Sequence, residues 1–297
     1  MQINPEYQSP DSQEMHIPKV SIGMPVYNGG ECIRKALDSL LTQTFTDFEL
    51  IISDNASTDE TEAICREYMK KDSRIRYVRQ VENRGAGANF QFVLDEAQCE
   101  YFMWAAHDDI RSPNFLSVNL DFLCRNPDFV ASISPVRFEG GEFDEIRMGD
   151  SGLTGEVSQR IILCFRGRRF HANGRFYSLM RRDDIKNCCS NEYFLGTDNA
   201  IMLRLASKGK FNRSSEGWVV LGTKGMSSGK NSIRMFRRSW LDFFIPLHRL
   251  SGITMGLCRD FSVRDKSVLV LQLLKYHLRA FVGQFVLAMK SSSWRRS

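Results

Sequence analysis

The stretch VSIGMPVYNGGECIRKALDSLLTQTFTDFELIISD, residues 20–54, decides the fold. It opens on VSIGMPVY, a short and almost wholly apolar run ending in Asn and Gly. That pattern predicts a strand buried on both faces. Ile33, Ala36, Leu37, Leu40 and Leu41 then recur at i, i+3, i+4, i+7 and i+8, the signature of an amphipathic helix. FELIIS is a second buried strand. Strand, helix and strand in this order form a unit whose two strands lie parallel.

The alternation continues outward from this unit. Ser57 and Glu60 in DNASTDETE have capping-box spacing for a second helix. IRYVRQ (75–80) reads as a third strand, and Phe90, Val93, Leu94 and Ala97 as a helical stripe. YFMWAA (101–106) is a fourth strand. SPNFLSVNLDFLCR follows as a helix with Ser112 as N-cap and Pro113 at its first position. FVASISPV (129–136) is a fifth strand. The chain is therefore expected to be α/β, with a mostly parallel central sheet and flanking helices.

Beyond residue 136 the pattern loosens. EGGEFDEIRMGDSG reads as a loop, and NGRFYSLMRRDDI holds a short strand-like piece. FLGTDNAIMLRLASKGKF reads as a helix, with Ile201, Met202 and Leu205 on one face and Gly209 as its stop. The last part is a helical extension over 231–297. There Leu278, Phe281, Val282, Phe285, Val286 and Met289 form a stripe accompanied by Lys275, Arg279, Lys290, Arg295 and Arg296. Such a basic amphipathic segment can complete a core, or lie on an anionic membrane surface. RRSWLDFFIPLHRL adds aromatics beside arginines and favours the membrane.

The 297 residues are 42% hydrophobic and 25% charged, ordinary globular composition. The net charge of +5 is too mild to indicate nucleic acid, and no nucleic-acid module is recognisable. Acids concentrate before residue 150 and basic residues after it, which favours an anionic partner for the second half. Eight cysteines without a CxxC pair read as reduced thiols of a cytoplasmic protein. The polar start, residues 1–16, reads as a disordered tail, and no apolar run is long enough to span a membrane.

Ligands of open α/β sheets bind beyond the carboxyl ends of the strands. Asp54, Asn55, His107, Asp108 and Asp109 all fall just past predicted strand ends and should meet at one mouth. Adjacent carboxylates at a strand end suit a divalent cation such as magnesium or manganese, which also takes phosphate oxygens. On spacing alone, Asp108 and Asp109 read equally well as an exposed turn. Asp54 can accept from a ribose or base, or belong to a solvated turn. Arg84 and the amides of NRGAGAN can hold a nucleotide, or simply start a helix. Asp198 can be a general base, or an acid favoured by the helix dipole.

Taken together, the segments resemble the family 2 glycosyltransferases. VSIGMPVYNGG, SLLTQTFTDFELIISDNASTDET, NRGAGAN, YFMWAAHDDIRSPNFL and FLGTDNAIMLRLASKGKF resemble five of that family's motifs in sequential order, over roughly residues 18–225. The resemblance implies a GT-A fold over 17–230, with a donor half to about 136 and an acceptor half after it. It implies a nucleotide-sugar donor, with a UDP-sugar favoured, and inversion at the anomeric carbon. Carried over by position, Pro25, Tyr27, Asp54 and Asn55 would lie around the base. Asp108 would hold the ribose or donor sugar, Asp109 a Mn2+ or Mg2+ ion on the diphosphate, and Asp198 would be the catalytic base. Arg84, Arg175, Arg181 and Arg182 are candidate diphosphate or acceptor contacts.

Three departures stand out. Ala106 replaces the first acid of the family's acidic strand end, with His107 beside it as a partial substitute ligand. Thr197 replaces the acid before the base. SDN at 53–55 leaves one acid at the base-binding corner. The processive synthases' Q..RW motif is lacking, so one sugar per encounter is expected. The expected acceptor is a glycan or a lipid-linked glycan in cell-surface polysaccharide assembly, at the inner face of the cell membrane. A non-catalytic GT-A-like binding or scaffold protein is the alternative that Ala106 and Thr197 suggest. A nucleotidyltransferase is disfavoured, because no Gly-rich GG.G.R opening follows the first strand.

Overall fold

Seven segments between residues 20 and 104 alternate as the apolar pattern requires. They are β1 (Val20–Val26), α1 (Ile33–Leu41), β2 (Phe48–Asp54), α2 (Thr61–Lys71), β3 (Ile75–Arg79), α3 (Ala86–Asp95) and β4 (Tyr101–Trp104). In this computed structural model the described residues are 16–165, 173–189, 193–223 and 241–293. The expected N-terminal tail, apart from His16, lies outside them. The chain continues through β5 (Ile110–Arg111), α4 (Phe115–Arg125), β6 (Phe129–Ile133), β7 (Val136–Phe138), the single turn α5 (Glu145–Met148) and α6 (Val157–Cys164). A 3-10 turn (Gly174–Tyr177) leads to β8 (Leu179–Arg181), α7 (Arg182–Lys186), α8 (Thr197–Lys208), β9 (Lys210–Arg213) and β10 (Val219–Leu221). The C-terminal part holds α9 (Leu241–Phe244), α10 (His248–Leu257) and α11 (Val263–Ser293).

The main sheet has the order β3-β2-β1-β4-β8-β6-β9. β3, β2, β1 and β4 are parallel, and β8 inserts antiparallel between β4 and β6. A small sheet, β5-β10-β7, stands beside it. Alternate side chains of each strand enter two cores. Val20, Ile22 and Met24 join Leu50, Ile52 and Met103 on one face, while Ile51, Phe102 and Trp104 serve the other. This two-sided burial is why the strands read as unbroken apolar runs. At Gly23 a Cβ would come within 2.7 Å of Val93, so the missing side chain is what lets α3 sit down on β1.

Several boundaries differ from the sequence reading. The N-cap of α2 is Glu60 rather than Ser57, whose hydroxyl accepts the Asn28 N–H instead. Helix α4 starts at Phe115 rather than Pro113, because the Ser112 hydroxyl accepts the Trp218 N–H, 2.9 Å, in the small sheet. FVASISPV is two strands in two sheets, broken before Val136 at a proline that cannot donate to a ladder. The stretch read as a loop contains α5, whose N-cap Asp144 accepts from Ile146 and Arg147 N–H. All eight cysteines are free thiols, and burial pushes several up, Cys65 to about 12. On α11, Leu269, Leu273, Tyr276 and Ala280 are buried in the same core as Trp104, so this helix belongs to the folded body. Among the described residues no helix is long and apolar enough to cross a membrane.

Candidate active site

The parallel register sets the floor of the site. Val26 pairs with Asp54 and Asp54 with Arg79, so the loops after β1, β2 and β3 leave the sheet at one level. These loops are laced together by backbone donors. Asn28 takes up a left-handed conformation, φ 51°, and its carboxamide oxygen accepts the Thr58 N–H at 2.9 Å. Gly29 N–H donates to Thr61 Oγ1 at 2.8 Å. A Cβ on Gly29 would lie 2.7 Å from the His107 ring, which brings the loop after β4 into the same corner. This is the edge of the sheet to which the sequence reading assigns Asp54, Asn55, His107, Asp108 and Asp109.

Their parts in it differ. Asp54 is wholly buried, and its carboxylate is engaged three ways: by Ser57 N–H at 2.8 Å, the Tyr77 hydroxyl at 2.7 Å and Arg79 at 3.2 Å. It shapes the loop after β2 from below rather than presenting a free edge. Pro25 is likewise buried in β1, whereas Tyr27 is 45% exposed at the mouth. Asn55 donates to Asn83 Oδ1 at 2.8 Å and accepts the Arg84 N–H at 3.0 Å, clamping the NRGAGAN turn. The Arg84 residue itself is exposed at the rim. Asn89, the last residue of that motif, accepts from Ser53 Oγ at 2.5 Å and donates to the Ser53 carbonyl at 2.9 Å, tying α3 to β2.

The acidic strand end is more unusual. Asp109 is buried; its Oδ1 accepts the Gly222 N–H at 3.0 Å, while its Oδ2 has no hydrogen-bond partner. Burial pushes this carboxyl up to about 7, against the pull of Arg111 and with a push from Asp108. Arg111 is also buried, held by one bond to the Trp104 carbonyl at 2.9 Å, with Nε and Nη1 unpaired. Asp108 packs over Gly222, where a Cβ would come within 2.3 Å of its carboxylate. Burial holds His107 below the usual imidazole range, partly offset by Asp108 and Asp59.

Asp198 stands in the first turn of α8, after Gly196 in the left-handed region at φ 92°. Burial raises its carboxyl, while Asn199 and Asn173 donate hydrogen bonds that oppose the rise. Thr197, in place of an acid, uses its hydroxyl to bond the Phe194 N–H and carbonyl, each at 2.7 Å. That side chain builds the turn and leaves Asp198 as the acid of the helix start.

Tyr177 connects the two groups. Its phenol is raised well above the ordinary value, first by burial and then by the charges of Asp109, Asp108 and Asp198, with Arg111 opposing. Three carboxylates from two segments, the turn after β4 and the start of α8, therefore act on one phenol. Neither Tyr177, Arg111 nor Gly222 was singled out in the sequence, since they lie in short, weakly patterned segments. The candidate arginines fare differently. The Arg175 guanidinium is spent on the Ser151 carbonyl and hydroxyl. Arg181 pairs in register with Tyr101, the first residue of β4, and Arg182 bonds the Ala97 carbonyl. Both stand at the opposite end of β4 from the acids, because β8 runs antiparallel to it, so neither can reach the mouth.

A divalent cation fits the acidic strand end. Asp109 Oδ2 is buried and without a donor, the state expected of a carboxylate oxygen awaiting a cation. Among the described residues no three His, Cys, Asp or Glu side chains gather as a complete metal site. One or two carboxylates are what magnesium or manganese needs when substrate phosphates and water supply the rest.

Comparison with known proteins bears on the fold and the family. An uncharacterised glycosyltransferase of Rickettsia typhi is 38% identical over 111 residues, 37% of this chain and 34% of that protein. A Campylobacter jejuni protein named GalNAc(5)-diNAcBac-PP-undecaprenol beta-1,3-glucosyltransferase is 26% identical over 196 residues, 66% of this chain and 62% of its own length. The chain thus spans from a third to under two thirds of these relatives. Staphylococcus aureus TarS 1–349 in complex with UDP-GlcNAc superposes with a TM-score of 0.58 at 17% identity, covering 89% of this chain and 81% of TarS. The Pyrobaculum calidifontis mannosyltransferase PcManGT in complex with GDP-Man and Mn2+ gives 0.55 at 14% identity, covering 95% and 89%. At such identities the likeness is one of fold, and the fold is GT-A. Residues 21–189, more than half of the sequence, match the family described as Glycosyl transferase family 2, and the chain belongs to it.

Proposed function

We propose that the chain is a glycosyltransferase that moves one sugar per encounter from a nucleotide-diphosphate sugar to a hydroxyl of a glycan or lipid-linked acceptor. The observation that carries this reading is the pair Asp108 and Asp109 at the end of β4, with Asp109 buried and one of its oxygens unpaired, together with Asp198 at the start of α8, all three raising the Tyr177 phenol. Support for a nucleotide-sugar donor comes from TarS, solved with UDP-GlcNAc and with UDP, and a UDP-sugar is the donor we propose. PcManGT, solved with GDP-Man and Mn2+, supports the use of a divalent metal. The undecaprenol-linked substrate in the Campylobacter relative's name supports a lipid-linked acceptor in glycan assembly. The eight free thiols support a cytoplasmic location.

In this reading Tyr27, Asn55 and the Arg84 turn line the base side, and Asp108 holds the ribose or donor sugar. Asp109, with Asp108 beside it, would hold the cation, which when bound offsets charge growing on the leaving diphosphate. Asp198 takes the proton from the acceptor hydroxyl as that oxygen forms its bond to the anomeric carbon. The bond to the diphosphate breaks on the opposite face. One displacement with one base inverts configuration, by the geometry of inverting hydrolysis. A raised carboxyl is a stronger base, which suits Asp198 to this task.

The test is transfer from UDP-sugars to lipid-linked acceptors by wild type and Asp198→Asn. The variant should lose about 10²–10⁴-fold in turnover, the usual contribution of a general base. Thermal unfolding with UDP, GDP or dTDP, with and without manganese, should show the variant still binding one nucleotide. Equal transfer by both proteins would remove Asp198 from the mechanism. Nucleotide binding without transfer by either protein would favour the non-catalytic alternative.

A further inference from the structure

Helix α11 carries two apolar faces, and among the described residues only one of them is buried in the core. Leu269, Leu273, Tyr276 and Ala280, spaced i, i+4, i+7 and i+11, are buried in the core. Tyr276 meets Phe165 edge-on at 5.5 Å and donates to its carbonyl at 3.4 Å. On the opposite side Leu271, Leu274, Leu278, Val282 and Phe285 recur at i, i+3, i+7, i+11 and i+14, each 49–64% exposed. These large side chains form one continuous stripe on a helix of 31 residues, about 46 Å long at 1.5 Å per residue. A soluble domain rarely leaves such a stripe to water without a partner for it.

The charges around the stripe say what that partner is. Arg264, Lys275 and Arg279 are exposed, and the helical turn places all three on one flank of the apolar stripe. After Asp265 the sequence contains no acid, yet it holds Lys266, Lys275, Arg279, Lys290, Arg295 and Arg296, the last two outside the described residues. We propose that this outward face of α11 docks the protein in the plane of an anionic lipid surface. The Leu, Val and Phe side chains would enter the interface while Lys275 and Arg279 meet lipid phosphates. An amphipathic helix with a basic polar flank lies in such an interface rather than crossing it. A second copy of this chain fits less well. It would bring a like-charged basic flank against this one, with only Asp265, in the first turn of the helix, as an acid to set against it. The buried face keeps its place in the core throughout, so docking needs no rearrangement. The inference is independent of the transferase chemistry and rests on the surface alone.

The test is flotation of the full chain with phosphatidylglycerol–phosphatidylcholine vesicles and with phosphatidylcholine vesicles. Two double variants accompany it, Leu274→Ser with Leu278→Ser, and Lys275→Glu with Arg279→Glu. Wild type should float with the anionic vesicles and bind neutral ones at least tenfold more weakly. Each basic contact near a lipid surface is worth about fivefold in partitioning, so the charge variant should lose roughly tenfold or more. The serine variant should lose as much, while both keep the wild-type melting temperature because the face is exposed. Wild type that ignores anionic vesicles, or variants that float as well as wild type, would overturn the proposal. A dimer that the serine variant makes monomeric, with no vesicle binding by wild type, would give the face to a second copy instead.

Discussion

Asp109 shows what burying a single carboxylate costs. It is buried, one of its oxygens lacks a donor, and its carboxyl is raised from 3.8 to about 7. A raised carboxyl favours the fold when protonated. Its contribution to stability therefore falls as pH rises from 3.8 toward about 7, and stays level above that. Asp109→Asn removes this loss but buries an amide with an unpaired donor. Without metal, the variant should be about 1–3 kcal/mol more stable than wild type at about pH 8, and the order should reverse toward about pH 4, where only the cost of the unpaired amide is left. Urea unfolding at both pH values checks this, and a variant weaker at every pH would contradict it. The same variant should lose any manganese-dependent gain from a nucleotide.

Among elements, the short strand β10 matters more than its three residues suggest. It runs antiparallel to β5 and parallel to β7, and it delivers the Gly222 N–H to Asp109. A Cβ on Gly222 would sit 2.3 Å from the Asp108 carboxylate and 2.5 Å from the Asp108 carbonyl. Backbone cannot swing aside as a flexible side chain can. Gly222→Ala should therefore cost about 1–3 kcal/mol by overpacking and weaken nucleotide binding in the presence of manganese. Calorimetry with and without UDP and manganese separates the two effects; a variant equal to wild type in both would show that β10 does not support the site.

Legibility follows the same line between long and short elements. β1, β2 and β4 were readable because two-sided burial leaves an unbroken apolar run, whereas β3, at the sheet edge, buries only Ile75. Helix α8 was readable from Ile201, Met202, Leu205 and its stop at Gly209. Ser57 and Ser112 misled because each hydroxyl serves a contact distant in sequence, the Asn28 and Trp218 amides. β5 and β10 have two and three residues, too few for any period to show. Tyr177 was missed for the same reason. Its importance comes from carboxylates 21 to 69 residues away along the chain, which no local pattern records.

At the scale of the whole molecule, α11 is both a wall of the core and an outer surface. Leu273 and Leu274 are neighbours in sequence, yet one is buried at 5% exposure and the other is 60% exposed. Leu273→Ala should cost about 2–4 kcal/mol through the cavity it leaves, whereas Leu274→Ala should stay within about 0.5 kcal/mol of wild type. Denaturant midpoints of the two variants decide the point, and equal losses would mean that α11 packs differently. Removal of residues 262–297 would strip the core of Leu269, Leu273, Tyr276 and Ala280. Point variants are therefore the sound route to the function of the outer face.

The sequence by itself determined the alternating architecture and the family, because burial period and motif order are properties of neighbouring residues. It also determined which acids stand at or just past strand ends. Only the tertiary structure decided how those acids are used: that Asp54 is tied down beneath the mouth, that Asp109 keeps an unpaired oxygen, and that Asp198 shares Tyr177 with both. It alone removed Arg175, Arg181 and Arg182 from the site and divided α11 into an inner and an outer face. The physical reason is that burial and charge act through space. Two residues far apart in the chain acquire a common field only when the sheet brings their loops to one edge.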